Sequence, residues 1–263
     1  MIAAVTVMVL VAMFYANTVL DERLAENEFS ANKQFMLSTG LQIDDVAWTI
    51  GRTQTVTYSS RFGHLKFQSL ALNYSLALDS GSGWETVFSN ITTGMIMYNI
   101  PIANYNLGNY YFERISPINN GSFLQQGATA PVSHVFVVEQ LRRTEGDFSR
   151  IVVVPTIRVL NSSIVGPSQS TSTLYYKFFL PTLESSNASQ FQSQSVTMTG
   201  SEITKIIRRD VDRVQLTVTF PNYAMKYDSG FFKFENQIVT EELPANSVVE
   251  LYVGKVVVSI GLA

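Results

Sequence analysis

Cysteine is absent from this chain of 263 residues, histidine occurs only twice, and charged residues make up 15% of it. Without cysteine the protein has no disulfides, thiolate metal sites, catalytic thiols or c-type haem attachment. Typical soluble domains carry about 25% charged residues, so this chain is poor in charge. Its net charge of −3 lacks the basic excess of a nucleic-acid binder, and its 46% hydrophobic content excludes a disordered chain.

Residue patterns typical of catalysis are missing as well. His64 and His134 lie far apart in the sequence and have no partner at metal or catalytic spacing. The chain contains no zinc-protease, nucleophile-elbow, phosphate-binding or dinucleotide-binding motif. Asp44 and Asp45 are adjacent, and neighbouring residues of a helix do not face each other, so they make a poor acid–base pair. We expect no catalytic residue, no metal site and no cofactor, although a calcium site built from loop oxygens stays open.

Hydroxyl and amide groups take the place of charge, with 27 Ser, 22 Thr and 16 Asn. The apolar residues, in contrast, are concentrated at the N-terminus: 17 of the 20 residues at 1–20 are apolar, and the first charge is Asp21. An apolar helix of about 20 residues spans a bilayer. A cleaved signal peptide would have basic residues before this run and small residues after it, and neither is present. We expect an assembly helix, with a simple membrane anchor as the alternative.

The helical period continues beyond the apolar run to about residue 51. Eight apolar residues fall within one arc of about 160° on a helical wheel: Leu24, Phe29, Ala31, Phe35, Met36, Ile43, Val46 and Ile50. A second, narrower stripe near the polar side consists of Leu37, Leu41 and Trp48. We expect the arc to pack against the protein's own head, and the stripe either to contact a neighbouring molecule or to pack beneath a loop. Gly40 is predicted to bend the helix, and the acidic residues at 21–46 to form mostly a solvated face.

From residue 52 the period changes from 3.6 to 2, which is typical of β-strands. An alternating run with smaller or polar neighbours consists of Leu70, Leu72, Tyr74, Leu76 and Leu78. The remaining elements predicted are a short helix at 201–212 and strands at 53–58, 95–100, 134–140, 150–160, 173–180, 213–220, 231–239 and 247–260. We therefore expect an α+β fold, with a helix over residues 1–51 and an antiparallel, sandwich-like β head over residues 52–263.

Aromatic and amide residues are unusually dense at residues 104–112. This segment contains Tyr105, Tyr110 and Tyr111 among several asparagines. Exposed rings beside amide donors suit a carbohydrate or a protein contact. The alternative is a strand or loop whose aromatic residues belong to the core.

N-glycosylation sequons begin at five asparagines, Asn73, Asn90, Asn120, Asn161 and Asn187. The composition alone predicts roughly three, so the enrichment is weak. Asn120 and Asn161 lie in turn-like segments and are the better candidates, whereas Asn73 lies within a predicted strand. Covalent N-glycans are expected only if the head is extracellular.

The chain resembles the archaeal branch of the type IV pilin superfamily, which includes the archaellins. The resemblance is carried by MIAAVTVMVLVAMFY at residues 1–15, by its amphipathic continuation to about residue 50, and by the β-rich remainder. Bacterial pilins usually carry a glutamate at the fifth mature position, where this chain has Val5, and many archaeal relatives also lack it. The resemblance implies a helix that is inserted in the membrane and then packed into the bundle of a filament by the pilus assembly machinery.

The same mechanism is expected on physical grounds, because a helix that is apolar on all sides has to lie in lipid or among like helices. The expected core of the bundle consists of Ile2, Val5, Val9, Leu10, Met13 and Phe14. The protein is thus expected to be a structural subunit of a homopolymeric cell-surface filament for adhesion or surface interaction, and not an enzyme. The alternative is a single-pass membrane-anchored surface domain that binds a glycan or solute.

Overall fold

The computed structural model describes most of the chain, namely residues 2–141, 143, 145–165, 172–186 and 195–261. Helix α1 extends over Ile2–Ala47. The long N-terminal helix is therefore confirmed, although it ends before the predicted residue 51. It ends there because the amide of Gly51 and the carbonyl of Arg52 pair with Gly200 of the sheet, at 2.7 and 3.0 Å, instead of continuing the helical hydrogen bonds.

The described residues after the helix are mostly strands, which confirms the α+β class. The strands are β1 Thr53–Thr57, β2 His64–Asp79, β3 Trp84–Pro101, β4 Phe112–Ser116, β5 Leu124–Gln126, β6 Ser133–Glu139, β7 Phe148–Pro155, β8 Ile157–Val165, β9 Ser172–Ser185, β10 Ser195–Thr219 and β11 Ile238–Gly261. A 3-10 turn at Tyr223–Met225 and a short helix α2 at Ser229–Phe232 lie between β10 and β11.

Hydrogen bonds join these strands into one sheet, in the order β4-β6-β7-β3-β2-β10-β11-β9-β8-β5, with β1 paired to β10. Most neighbours are antiparallel, as predicted, but β9 is parallel to β11 and β5 is parallel to β8. The expectation of a wholly antiparallel head is therefore wrong at these two pairs. Parallel neighbours need long crossover connections, which alternation within a strand does not reveal. The sandwich-like arrangement stays a prediction.

The sheet contributes apolar side chains to a core on each of its faces. Residues of β7 alternate between the two cores, with Val152 in the first and its neighbours Ile151 and Val153 in the second. Helix α1 covers the second core with its buried apolar residues Ala25, Phe29, Phe35, Met36, Ile43, Val46 and Ala47. The C-terminal half of α1 is therefore part of the head.

The short helix predicted at 201–212 is wrong, because these residues lie within β10. Their spacing of apolar residues, Ile203, Ile206 and Ile207, fits a helix as well as a strand. Most of this segment pairs with β11 and is therefore a strand. Its β-branched residues also favour a strand.

The strand predicted at 231–239 is wrong over most of its length, since β11 begins at Ile238. The first residues of the segment belong to α2 instead. The Asp228 carboxylate accepts a hydrogen bond from the Phe231 amide at 3.1 Å and caps this helix. Phe231 and Phe232 are buried in the first core, so their apolar character reflects burial rather than a strand.

Gly40 does not interrupt α1, which continues through it to Ala47. A Cβ at this position would lie 2.8 Å from Val135 Cγ2 and 3.0 Å from Ser133 Oγ. The Ser133 hydroxyl also donates to the Gly40 carbonyl at 2.9 Å. The glycine therefore allows α1 to approach β6 closely within a continuous helix, and the bend stays a prediction.

Candidate functional site

The N-terminal half of α1 is exposed, and near its end Asp21 accepts a hydrogen bond from the Arg61 guanidinium of the head at 3.3 Å. Every residue from 2 to 24 is exposed, and this stretch is about 34 Å long. Its composition and length are sufficient for a helix to cross a membrane. All six residues predicted to form the bundle core are exposed, namely Ile2, Val5, Val9, Leu10, Met13 and Phe14.

Two hydroxyl groups within this stretch are satisfied by the helix itself. The hydroxyl of Thr6 donates to the carbonyl of Ile2, and the hydroxyl of Thr18 donates to the carbonyl of Phe14, both at 3.0 Å. Such bonds let a hydroxyl enter an apolar environment without an external partner. The surface from residue 2 to residue 20 therefore suits lipid or other apolar helices.

Glu28 attaches the helix to the head immediately after the exposed half. Its carboxylate accepts hydrogen bonds from the backbone amides of Arg61, Phe62 and Gly63 at 2.7 to 3.2 Å, and from the hydroxyls of Ser60 and Tyr98. Burial alone would raise the pKa of Glu28, but these hydrogen bonds outweigh it and hold the pKa below its ordinary value. We name this arrangement the Glu28 clamp.

A second acidic residue fixes the end of the helix. Asp44 accepts two hydrogen bonds from the Arg158 guanidinium at 2.6 and 3.1 Å, and one from Trp48 Nε1 at 2.7 Å. Bidentate pairs of this kind define orientation as well as distance. Glu28 and Asp44 were expected on a mostly solvated face. Their neighbours in sequence do not distinguish them, because Glu26 and Asp45 also lie directly beside buried residues of the helix.

The second stripe of the helix, Leu37, Leu41 and Trp48, mostly packs within the protein. Leu37 and Trp48 are half-buried and pack against the second core, and the Trp48 ring lies 5.2 Å from that of Phe179. Leu41 is 57% exposed. Packing within the chain therefore accounts for two of the three residues, and Leu41 stays available for a neighbouring molecule.

The predicted main arc is buried at Phe29, Phe35, Met36, Ile43 and Val46. The other three residues assigned to it are exposed, namely Leu24, Ala31 and Ile50. Leu24 precedes the first buried residue of the helix, and Ile50 follows its end. Contact with the sheet thus begins at Ala25.

The three tyrosines of the aromatic and amide segment have different environments. Tyr105 packs 5.0 Å from Phe29, and the Tyr111 hydroxyl donates to Glu113 at 2.8 Å. Tyr110 is 76% exposed. Tyr105 and Tyr111 therefore support the fold, while Tyr110 presents its ring to solvent.

A buried carboxylate holds this segment in place. Glu139 accepts hydrogen bonds from the amides of Leu107 at 2.7 Å and Gly108 at 3.1 Å, and from the Ser149 hydroxyl at 2.6 Å. Its backbone carbonyl also accepts from the amide of Tyr110 at 2.9 Å. The exposed ring of Tyr110 is thus carried by an anchored backbone.

Two of the predicted sequons interlock across β2 and β3. The side-chain oxygen Oδ1 of Asn73 accepts a hydrogen bond from the hydroxyl of Thr92 at 2.9 Å, and Thr92 is the hydroxyl residue of the Asn90 sequon. The backbone amide of Asn90 in turn donates to Ser75 Oγ at 3.1 Å, and Ser75 is the hydroxyl residue of the Asn73 sequon. Asn73 is half-buried and Asn90 is exposed.

The remaining sequons differ in accessibility. Asn120 is half-buried, and its side-chain oxygen accepts from the Ser122 amide at 2.9 Å. Asn161 is exposed and lines a cleft of about 230 Å³. Its predicted turn-like setting is wrong, because it lies within β8 and pairs with Tyr176 of β9. Asn187 lies outside the described residues.

The two histidines have structural environments. His134 is buried and lies 2.9 Å from the Gln125 amide nitrogen, and burial lowers its pKa to about 3. His64 lies 5.5 Å from the Phe148 ring, and burial, with Lys66 and Arg150, lowers its pKa. Among the described residues no three His, Asp or Glu side chains are grouped as metal ligands.

Comparisons of the chain with family models, curated proteins and solved structures find no match. Its function is therefore inferred from its own residues. One helix joins an exposed apolar half to a docked half, and Glu28 and Asp44 fix the docked half. The head contributes an exposed ring at Tyr110.

Proposed function

We propose that this chain is a structural subunit that polymerises through α1 into an extracellular filament resembling a type IV pilus. The observation that carries the proposal is that every residue from 2 to 24 is exposed on the same continuous helix that covers the second core. Exposed apolar surface costs about 25 cal/mol per Å² in water, so this half of the helix needs an apolar environment. A bundle of like helices supplies that environment in a filament.

Close packing favours a bundle over lipid once several copies meet. Ala3, Ala4, Ala12 and Ala16 are small residues that let helices approach closely. The larger side chains between them, such as Val9 and Phe14, fill the space between helices. Packing contacts replace contacts with lipid, so assembly does not require the apolar surface to meet water.

The attachment of helix to head explains how a regular polymer forms. The Glu28 clamp and the Asp44–Arg158 pair fix the direction of the helix relative to the sheet. Identical subunits related by an operation that does not close form an open helical filament. The partners are then further copies of the chain, the membrane before assembly and an assembly machinery, with the heads on the outer surface.

A second candidate function is a single-pass membrane-anchored surface domain. The length and composition of α1 favour it, since they suffice to cross a bilayer without any polymer. Shearing cells that produce the protein separates the two functions. Long filaments that contain the chain in the medium support the first, whereas recovery only in detergent-solubilised membranes supports the second.

The variant Val9→Asp tests the role of the helix. A charge without a partner in the bundle is expected to abolish filaments, seen by electron microscopy, because burying an unpaired carboxylate is costly. The head is expected to fold as in the wild type, since Val9 makes no contribution to either core.

Val9→Leu is the matched control, because it changes size at the same site while keeping it apolar. It is expected to form filaments. Normal filaments of Val9→Asp would show that α1 is not the assembly core.

A further inference from the structure

The cleft of about 230 Å³ on the head is lined by Asn161, the first residue of a predicted sequon. Asn161 is exposed, and it pairs directly with Tyr176 across β8 and β9. Directly opposed residues of an antiparallel pair lie on one face of the sheet, with their Cβ atoms about 4.5–5.5 Å apart. Tyr176 also lines the cleft, so the two side chains are neighbours there.

The apolar residues of this cleft are held in place by the first core. Val159 and Phe178 line the cleft and are buried. Tyr176 is half-buried and packs against the same core. A ring that is already ordered by packing costs little further free energy to order when another group lies against it. The cleft therefore offers a preformed aromatic surface beside the sequon.

The polar side chains of the cleft are Gln126, Glu241 and Glu242. The side-chain nitrogen of Gln126 donates to Glu241 Oε1 at 3.4 Å, and Glu242 is exposed. A carboxylate has lone pairs for about four hydrogen bonds, so both glutamates can accept from the hydroxyl groups of a sugar. Two carboxylates at one cleft repel a third, so these side chains favour a neutral sugar over an acidic one.

The attachment point determines where a glycan on Asn161 begins. Its first sugar is joined to Nδ2 of the asparagine, so the sugar ring starts at the cleft that this residue lines. The volume is below the roughly 300–1,000 Å³ of pockets for drug-sized ligands, so it holds about one sugar unit. Because the face of an aromatic ring is electronegative, the C–H groups of a sugar are attracted to it.

We propose that Asn161 carries a glycan whose first sugar is neutral and lies in this cleft against Tyr176. The sugar covers apolar surface at the edge of the first core and thereby stabilises the head. The inference rests on the proposed function in one respect, since N-glycans require the head to be extracellular. It does not require the chain to polymerise.

Peptide mass spectrometry and thermal unfolding of the full chain, purified in detergent from its native cells, test the proposal. We expect a glycan on Asn161 that begins with a neutral sugar. The variants Asn161→Gln and Ser163→Ala each remove the sequon, and each is expected to lower the unfolding midpoint by about 2–4 °C. The second variant keeps the asparagine, so it separates the effect of the glycan from that of the side chain.

Variants of the ring test the position of the sugar. Tyr176→Phe keeps the ring and is expected to keep the full difference in midpoint between the glycosylated and the glycan-free chain. Tyr176→Leu keeps an apolar side chain but removes the ring, so this difference is expected to be lost. Each ring variant is compared with and without Ser163→Ala, so that any loss of stability from repacking of the core cancels.

Absence of a glycan on Asn161 would overturn the proposal, and an acidic first sugar would overturn the ligand class. An unchanged midpoint after removal of the glycan, or the full difference in Tyr176→Leu, would show that the sugar does not lie in the cleft. Electron microscopy of the same cells separates this inference from the proposed function. Filaments without a glycan on Asn161 would contradict the inference alone, whereas a glycosylated chain that forms no filaments would contradict polymerisation alone.

Discussion

At the scale of single residues, acidic side chains determine how the helix meets the head. Glu28 accepts hydrogen bonds from two hydroxyls and from three consecutive backbone amides at 61–63. Backbone donors in a fixed loop define the position of a carboxylate better than flexible side chains do. The Glu28 clamp therefore fixes the position of α1 directly after its exposed half.

Replacing Glu28 with glutamine tests this role. The variant Glu28→Gln would bring a side-chain amide group against the amides of Arg61, Phe62 and Gly63, so we expect a loss of about 1–2 kcal/mol in the free energy of unfolding, given partial solvent access. Chemical denaturation monitored by tryptophan fluorescence measures this difference. An unchanged free energy of unfolding would show that the clamp does not stabilise the head.

The lowered pKa of Glu28 also predicts a dependence on pH. Its folded-state pKa lies below its unfolded-state value, so its contribution is present above the unfolded-state pKa and is lost as pH falls through the lower folded-state pKa. From about pH 5 to pH 3, the wild type is therefore expected to lose more stability than Glu28→Gln. Parallel losses in the two proteins over this range would contradict the assignment.

At the scale of elements, local periodicity predicts α1 and most strands, because each pattern reflects one face of one element. Local periodicity does not predict features that depend on partners distant in sequence. These features are the end of α1, the β9–β11 pair and the strand at 201–212. The same limit applies to the site. Tyr105, Tyr110 and Tyr111 look alike in the sequence, and only the positions of Phe29, Glu113 and Glu139 distinguish them.

The pairing of β2 with β3 leads to a prediction about glycosylation. A half-buried Asn73 whose side chain accepts from Thr92 is a poor acceptor for a bulky glycan, whereas Asn161 is exposed. Peptide mass spectrometry of protein from its native cells is expected to find a glycan on Asn161 and none on Asn73. A glycan on Asn73 would show that modification precedes pairing of these strands.

At the scale of the whole molecule, the C-terminal half of α1 packs into the core of the head, and its N-terminal half is exposed. Phe29, Met36 and Ile43 fill the second core together with sheet residues such as Ile151 and Val153. Burial of a side chain of this kind contributes about 1.5–3 kcal/mol. The residues described before Ala25 contribute no buried side chain.

This division predicts opposite effects for two truncations. A chain of residues 21–263 keeps the second core covered and loses the apolar surface, so it is expected to be a folded, soluble monomer without detergent. A chain of residues 48–263 exposes the second core and is expected to aggregate. Size-exclusion chromatography and circular dichroism measure both results.

The chain of residues 21–263 also separates folding from assembly. If residues 2–20 serve only contacts between subunits, we expect the head of this chain to unfold at the same midpoint as the head of the full-length Val9→Asp variant. We also expect it to form no filaments. If it aggregates as the chain of residues 48–263 does, residues 2–20 are needed for the fold itself. Helix α1 would then stabilise the head over its whole length, and the exposed half would require a partner within the folded subunit rather than between subunits.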